Sequence, residues 1–423
     1  MLSTILKAFQ VAEIRKKIAF TAAMLLIYRL GSHLPVPGVN VSAVHTLQSQ
    51  LGGSGILGLL NTFSGGALSR IAIFALGIMP YITASIILQL LQVVIPSLEK
   101  LSKEGEVGQQ RITQYTRYLT VGLAFAQSFG FVFLFHSLQA KSGEAVIKHF
   151  DFPHLFVIVV CLTTGCVLLM WIGELITQRG IGNGISLLIF ASIVSRLPSG
   201  VEQWWTSNDQ VFKVMMPFLV LVVIAAIVFV QEGQRRIPVQ YARRVIGRRM
   251  TEGGQTYMPL RVNMAGVIPV IFAASIMAFP PTIGSLVKTH WAKWLTDFFN
   301  PSGWHYLVGQ SIFIVIFAYF YTGVTFNPVD QADNLKKYGG FIPGVRPGRP
   351  TAEFLDRILA RLTFPGALFL AAVAALPTIL VDRTHVQLQL GGTSLLIVIG
   401  VALETVKQLE AQLMMRSYEG FLK

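Results

Sequence analysis

The sequence is poor in charge and in cysteine. Only 13% of its 423 residues are Asp, Glu, Lys or Arg, about half the share of a soluble globular domain. That excludes a solvated surface over most of the chain. Acids are the scarcer sign, 20 against 34 Lys and Arg, which leaves a formal charge of +14. The two cysteines, Cys161 and Cys166, lie in one apolar run and at that spacing point to different faces of a helix. Neither a disulfide nor a thiolate metal site is expected. Catalytic signatures are missing too: no His-Glu-x-x-His and no P-loop string occurs. "GIGNG", Gly180 to Gly184, follows an apolar run and no strand–helix unit surrounds it. No enzymatic activity and no cofactor is expected.

Long apolar runs are what the chain does have. Apolar residues make up 53% of it, and the mean hydropathy is +0.60. Ten runs approach the roughly 20 residues that cross a bilayer: Ile18–Leu34, Ile71–Ile95, Tyr118–Phe135, Phe156–Ile172, Ile181–Leu197, Val214–Val230, Met264–Val287, Tyr306–Phe326, Leu362–Leu380 and Thr393–Val406. Lys and Arg gather at the N-terminus, in the even-numbered loops and at the C-terminus, which together hold 25 of the 34. By the positive-inside rule both termini are cytoplasmic. Residues 1–17 alternate apolar and polar at helical spacing, which suits a helix lying in the interface.

A secondary transporter coupled to ions, built on broken helices, is the alternative reading. Coupling calls for ionisable groups deep in the bilayer. The acids near spans are Glu174 and Glu404, both toward cytoplasmic ends and read as paired interfacial acids; runs 71–95 and 264–287 carry no charge. Two further features call for a different account. "ILGLLNTFSGGALSR", Ile56 to Arg70, is too short to span, too apolar for a solvated loop, and broken at Gly65-Gly66, where the backbone can bend. The loops 231–263 and 327–361 are longer than connections require, and carry Arg235, Arg236, Arg243, Arg244, Arg248 and Arg249 on one, Lys336, Lys337 and Arg346 on the other. Such clusters suit ribosomal RNA, anionic lipid heads or an acidic protein face.

"FSGGALSRIAIFALGIMPYITASIILQLL", "EGEVGQQRITQYTRYLT", "GELITQRGIGNGISLLIF", "EGQRRIPVQYARR", "VNMAGVIPVIFAASI", "NPVDQADNLKKYGGFIPGVRPG" and "GGTSLLIVIGVALE" closely resemble, in collinear order, the SecY family, the channel subunits of the bacterial Sec translocon. The resemblance implies an all-α fold of ten transmembrane helices in two inverted halves, residues 18–197 and 214–413, in the bacterial cytoplasmic membrane. It implies a channel that passes unfolded preproteins across and releases transmembrane segments sideways. Residues 56–70 would then be a re-entrant plug, with Ile56, Leu60, Asn61, Phe63, Ser64, Gly65, Gly66 and Arg70 as its marked positions. The pore ring would be Ile78, Ile82, Ile185, Ile189, Ile271 and Ile397, and the lateral gate would involve Thr83, Asn263 and Phe279. Implied partners are SecE, SecG, the SecA ATPase or a ribosome at the basic loops, preproteins and signal sequences, and anionic membrane lipids. Nothing is carried over to loops 141–151 and 288–305.

Overall fold

The structure, a computed structural model, describes residues 9–40, 56–142, 147, 150–206, 210–241, 245–246, 249–250, 255–286, 294, 298–299, 303–384 and 392–421. Helix α1, Ala12–Gly31, runs through the first apolar stretch. It starts after an extended Val11, so residues 12–17, expected to lie apart in the interface, belong to the same helix as the first apolar stretch. Short α2, Ile56–Phe63, and a 3-10 turn, Leu68–Arg70, follow. Next come α3, Met79–Val94, and α4, Pro96–Lys103, bent against each other by 101° at Ile95. Pro96 occupies the first helical position of α4, where a missing N–H costs nothing and the chain can turn.

The expected second span, Ile71–Ile95, is helical only from Met79. Residues 71–78 are irregular, yet much of their backbone is paired: Val36 N–H donates to the Ile71 carbonyl and Ile73 N–H to the Leu34 carbonyl, across a bridge at Pro35 and Ala72. Apolar composition alone cannot separate such a segment from a helix, because buried irregular backbone needs the same side chains. Gly165 shows how closely it is packed: a Cβ there would stand 2.1 Å from the Ile73 carbonyl oxygen. We expect Gly165→Val to lower stability by roughly 3 kcal/mol, the upper end for overpacking, because the clash is with backbone. Thermal unfolding of the purified membrane complex measures this, and an unchanged midpoint would refute the close approach.

The remaining helices are α5, Glu106–Ser142; α6, Phe152–Arg179; α7, Gly184–Val194; α8, Leu197–Thr206; α9, Gln210–Glu232; α10, Ile268–Leu286; α11, Trp304–Thr325; α12, Pro328–Lys337; α13, Arg349–Thr384; and α14, Gly392–Phe421. Among the described residues five helical stretches are long and apolar enough to cross a membrane, or six if the bent pair α3–α4 is one span. Glu174 of α6 takes both Nε and Nη2 of Arg117 on α5, at 2.9 and 2.6 Å. Glu404, expected to be paired likewise, forms no ion pair among the described residues; on that helix Lys407 pairs with Glu232, 2.7 Å apart. Cys161 and Cys166 are free thiols.

The all-α expectation needs one correction. Loop 231–263 is a hairpin: β1, Gln234–Tyr241, runs antiparallel to β4, Gln255–Arg261, with Gln234 opposite Arg261, and β5, Gly340–Phe341, adds to the outer end of β1. At the hairpin tip β2, Val245–Ile246, pairs with β3, Arg249–Met250. Ile237 and Val239 on β1 alternate inward and pack with Leu260 of β4, Leu335 of α12, and Ile342, Leu355 and Ile358. The two basic loops are therefore one body with its own apolar core, where sequence reading left only loops.

Candidate functional site

The half-length segment sits inside the protein. Leu60, Asn61, Phe63, Ser64, Ala67, Leu68 and Ser69 are all buried. Much of its polarity is met internally. The Asn61 side chain accepts from the Ser69 N–H at 3.0 Å, the Asn61 carbonyl accepts from Gly66 at 2.9 Å, and Ser64 Oγ accepts from Leu68 at 3.2 Å. Gly65 and Gly66 take φ of 64° and 86°, left-handed values that glycine adopts without strain. Ile71 closes the segment at φ 47°. A β-branched residue there holds about 1–3 kcal/mol of strain, of the kind that collects at switch regions.

Three hydrogen bonds tie the segment to the helices around it. Tyr28 on α1 donates to the Ser64 carbonyl at 3.2 Å and shares a further bond with Ser192 of α7. Arg29 Nη1 donates to the Gly65 carbonyl at 3.1 Å, and Arg196 Nη1 to Thr62 Oγ1 at 3.3 Å. Two polar atoms stay buried and unpartnered, Asn61 Nδ2 and Arg70 Nη1. An orphaned buried donor costs about 1–3 kcal/mol, so this arrangement is held short of its best energy.

Of the six isoleucines marked for a ring, Ile78, Ile82, Ile189, Ile271 and Ile397 are buried in one apolar cluster that also holds Leu60, Phe63 and Leu68. Ile185 packs against the cluster from its edge, half-buried. The reason is local: Ile185 lies in the first turn of α7, where Asn183 Oδ1 accepts its N–H at 3.1 Å. The six come from the start of α3 and from α7, α10 and α14, helices that pack on one another.

Beside Leu60 a small cavity is lined by Met79, Thr83, Gln127 and Ser275, from α3, α5 and α10. Thr83 bonds its own helix at the Met79 carbonyl, and Ser275 Oγ lies 3.8 Å from Met79 Sδ. Of the gate positions, Thr83 lines this cavity. Phe279 is on α10, with its side chain outside the described ones. Asn263 is elsewhere: its amide donates to the Gly266 carbonyl at 2.9 Å and it lines a second cavity of about 240 Å³ with Gln231, Arg261, Tyr321 and Glu404. Sequence reasoning missed Gln127 and Ser275, although each is a polar residue inside an apolar run.

On the basic body Arg235, Arg236, Lys336, Lys337 and Arg346 are exposed. Arg346 stands between Gly344 and Gly348, with φ of 83° and 100°, and its carbonyl accepts from Thr351 Oγ1 at 2.8 Å. Arg243, Arg244 and Arg248 lie outside the described residues; Arg249 is on β3, its side chain not described.

A polytopic helical membrane protein with a buried half-length helix and a basic body at one end is the class these features define. The family model described as SecY matches residues 72–406. The protein translocase subunit SecY of Corynebacterium glutamicum is 49% identical over the full length of both chains, and those of Streptomyces coelicolor and Mycobacterium tuberculosis are 48% and 47% identical, also over full length. The chain belongs to the SecY family of protein-conducting channels. Among solved structures, a protein-conducting channel superposes with a TM-score of 0.62 at 18% identity over 93% of this chain and 91% of the other. Sec61 from the canine ribosome–channel complex gives 0.59 at 18% identity over the same shares.

Proposed function

We propose that this protein-conducting channel spans the cytoplasmic membrane ten times with both termini cytoplasmic, and that residues 56–70 gate it as a plug. The observation that carries the gating is the strained, under-satisfied segment lodged among the buried isoleucines of α3, α7, α10 and α14. Those isoleucines close the pore by excluding water, which an apolar constriction does without offering passing chains a polar site to bind. Thr83, Gln127 and Ser275 sit where α3, α5 and α10 meet, and make a seam that parts sideways for apolar segments. The few polar groups there weaken adhesion between the two walls, so opening exposes no large unmatched surface.

No nucleotide site is argued for in this chain, so the driving force comes from outside it. SecA or a ribosome docks on the basic body, SecE braces the two halves, and SecG lies alongside. Arg346 is held by Pro347 after it and by the Thr351 hydroxyl donating to its carbonyl, which suits planar bidentate pairing with carboxylate or phosphate. Reconstitution of the complex in proteoliposomes tests the reading. Arg346→Ala and Arg346→Lys are each expected to weaken motor or ribosome binding about tenfold, from the loss of a charge-assisted bond of roughly 1.5 kcal/mol. Substituting Arg243, Arg244, Arg248 and Arg249 together should instead slow association in a manner that added salt reproduces. Normal preprotein export and binding in both variants would overturn the docking reading.

A further inference from the structure

Arg29, Arg70 and Arg196 converge on the plug from three different elements. Arg29 lies in the last turn of α1, Arg196 just past α7, and Arg70 ends the 3-10 turn that follows the plug helix. All three are half-buried, and the charge of Arg70 is felt by Arg196 as that of Arg29 is by Arg70. Among the described residues no carboxylate forms an ion pair with any of them. Arg29 and Arg196 each spend one guanidinium nitrogen on the plug, at Gly65 O and Thr62 Oγ1, while Arg70 Nη1 is buried with no partner.

Three part-desolvated cations without a counter-charge repel one another and leave donors unmet, each a cost of kcal/mol size. A single oxyanion relieves both, since phosphate accepts several guanidinium donors in planar pairs. We infer that Arg29, Arg70 and Arg196 form a binding site for a phosphate-type anion that clamps the plug to α1 and α7. A lipid headgroup can reach it: Leu26, Leu30 and Leu34 leave an apolar face exposed along the same end of α1, and acyl chains lying on that face bring a phosphodiester level with Arg29. The site is independent of the docking surface on the basic body, and its test reads plug protection rather than transport, so it stands or falls apart from the gating proposal.

The test is backbone hydrogen exchange at Gly66, Leu68 and Ser69, whose N–H groups bond within the plug, in the full chain within its membrane complex. In detergent, inorganic phosphate replaces chloride at constant ionic strength; in nanodiscs, phosphatidylglycerol replaces phosphatidylcholine. Exchange should slow about tenfold when the anion stands at ten times its Kd, the factor that binding to the closed state alone gives. Arg70→Gln should abolish the response and Arg70→Lys retain part of it, with Arg196→Gln as a second variant should Arg70→Gln unfold. Slowing by both probes identifies any phosphate as sufficient, and slowing by phosphatidylglycerol alone identifies the lipid headgroup. No slowing with either probe, or equal slowing in both Gln variants, overturns the site.

Discussion

Deleting Asn61–Ser69 is expected to leave the protein folded and inserted, and to raise resting ion conductance by at least about tenfold. The attachments explain why the fold should survive. Within the segment Gly66, Leu68 and Ser69 donate their N–H groups to Asn61 and Ser64, and these bonds leave together. Outside it three donors are lost to solvent, those of Tyr28, Arg29 and Arg196, worth roughly 1 kcal/mol each. No helix of spanning length loses its register. What does disappear is the stopper, Phe63 and Leu68, from the cluster that holds the buried isoleucines. Planar-bilayer recordings measure the leak, and export of preproteins with defective signals measures the accompanying loss of selectivity. If the deleted protein instead failed to insert, the segment would be structural and the gating proposal wrong.

The buried half-length segment was legible because three properties that seldom coincide did so at Ile56–Arg70: half the spanning length, high apolarity and a glycine pair. The pair turned out to hold the left-handed backbone that makes the return possible. The proposed sidedness rests on charge distribution alone, which needs no knowledge of packing. The irregular stretch 71–78 was not, because its side chains are those of a helix and the difference lies in which backbone groups face Pro35 and Leu34. The hairpin was not read either, although Ile237 and Val239 alternate with polar neighbours over a few residues. Its pairing with Leu260 and the packing of α12 and α13 on it are non-local, and three arginine pairs drew the reading toward charge. The isoleucines proposed for the ring illustrate the deepest limit. By burial and chemistry they match Ile158 or Ile176, which lie in the same cluster on α6, so composition and burial do not separate pore lining from packing.

That last ambiguity has a direct experimental resolution, because packing and sealing respond differently to the same substitution. Ile82 and Ile271 are buried, at 4% and 5% exposure, and Ile→Gly at either should remove a comparable volume to Ile158→Gly, where exposure is 2%. Each loses roughly 3–5 kcal/mol of local packing if the cavity stays dry. At Ile158 the void is walled by α6 and its neighbours, so the expected result is lower thermal stability with unchanged conductance. On the gating proposal the void at Ile82 or Ile271 opens toward the pore, and once water enters, an apolar barrier that worked by dewetting is lost. The expected result there is a smaller stability loss and a resting conductance at least about tenfold higher, the factor that roughly 1.4 kcal/mol off a barrier produces. Ile271→Asp should leak more than Ile271→Gly, since a carboxylate holds water where glycine only permits it. Equal stability losses at all three positions, with no leak from any of them, would identify Ile82 and Ile271 as ordinary core and remove the ring from the mechanism.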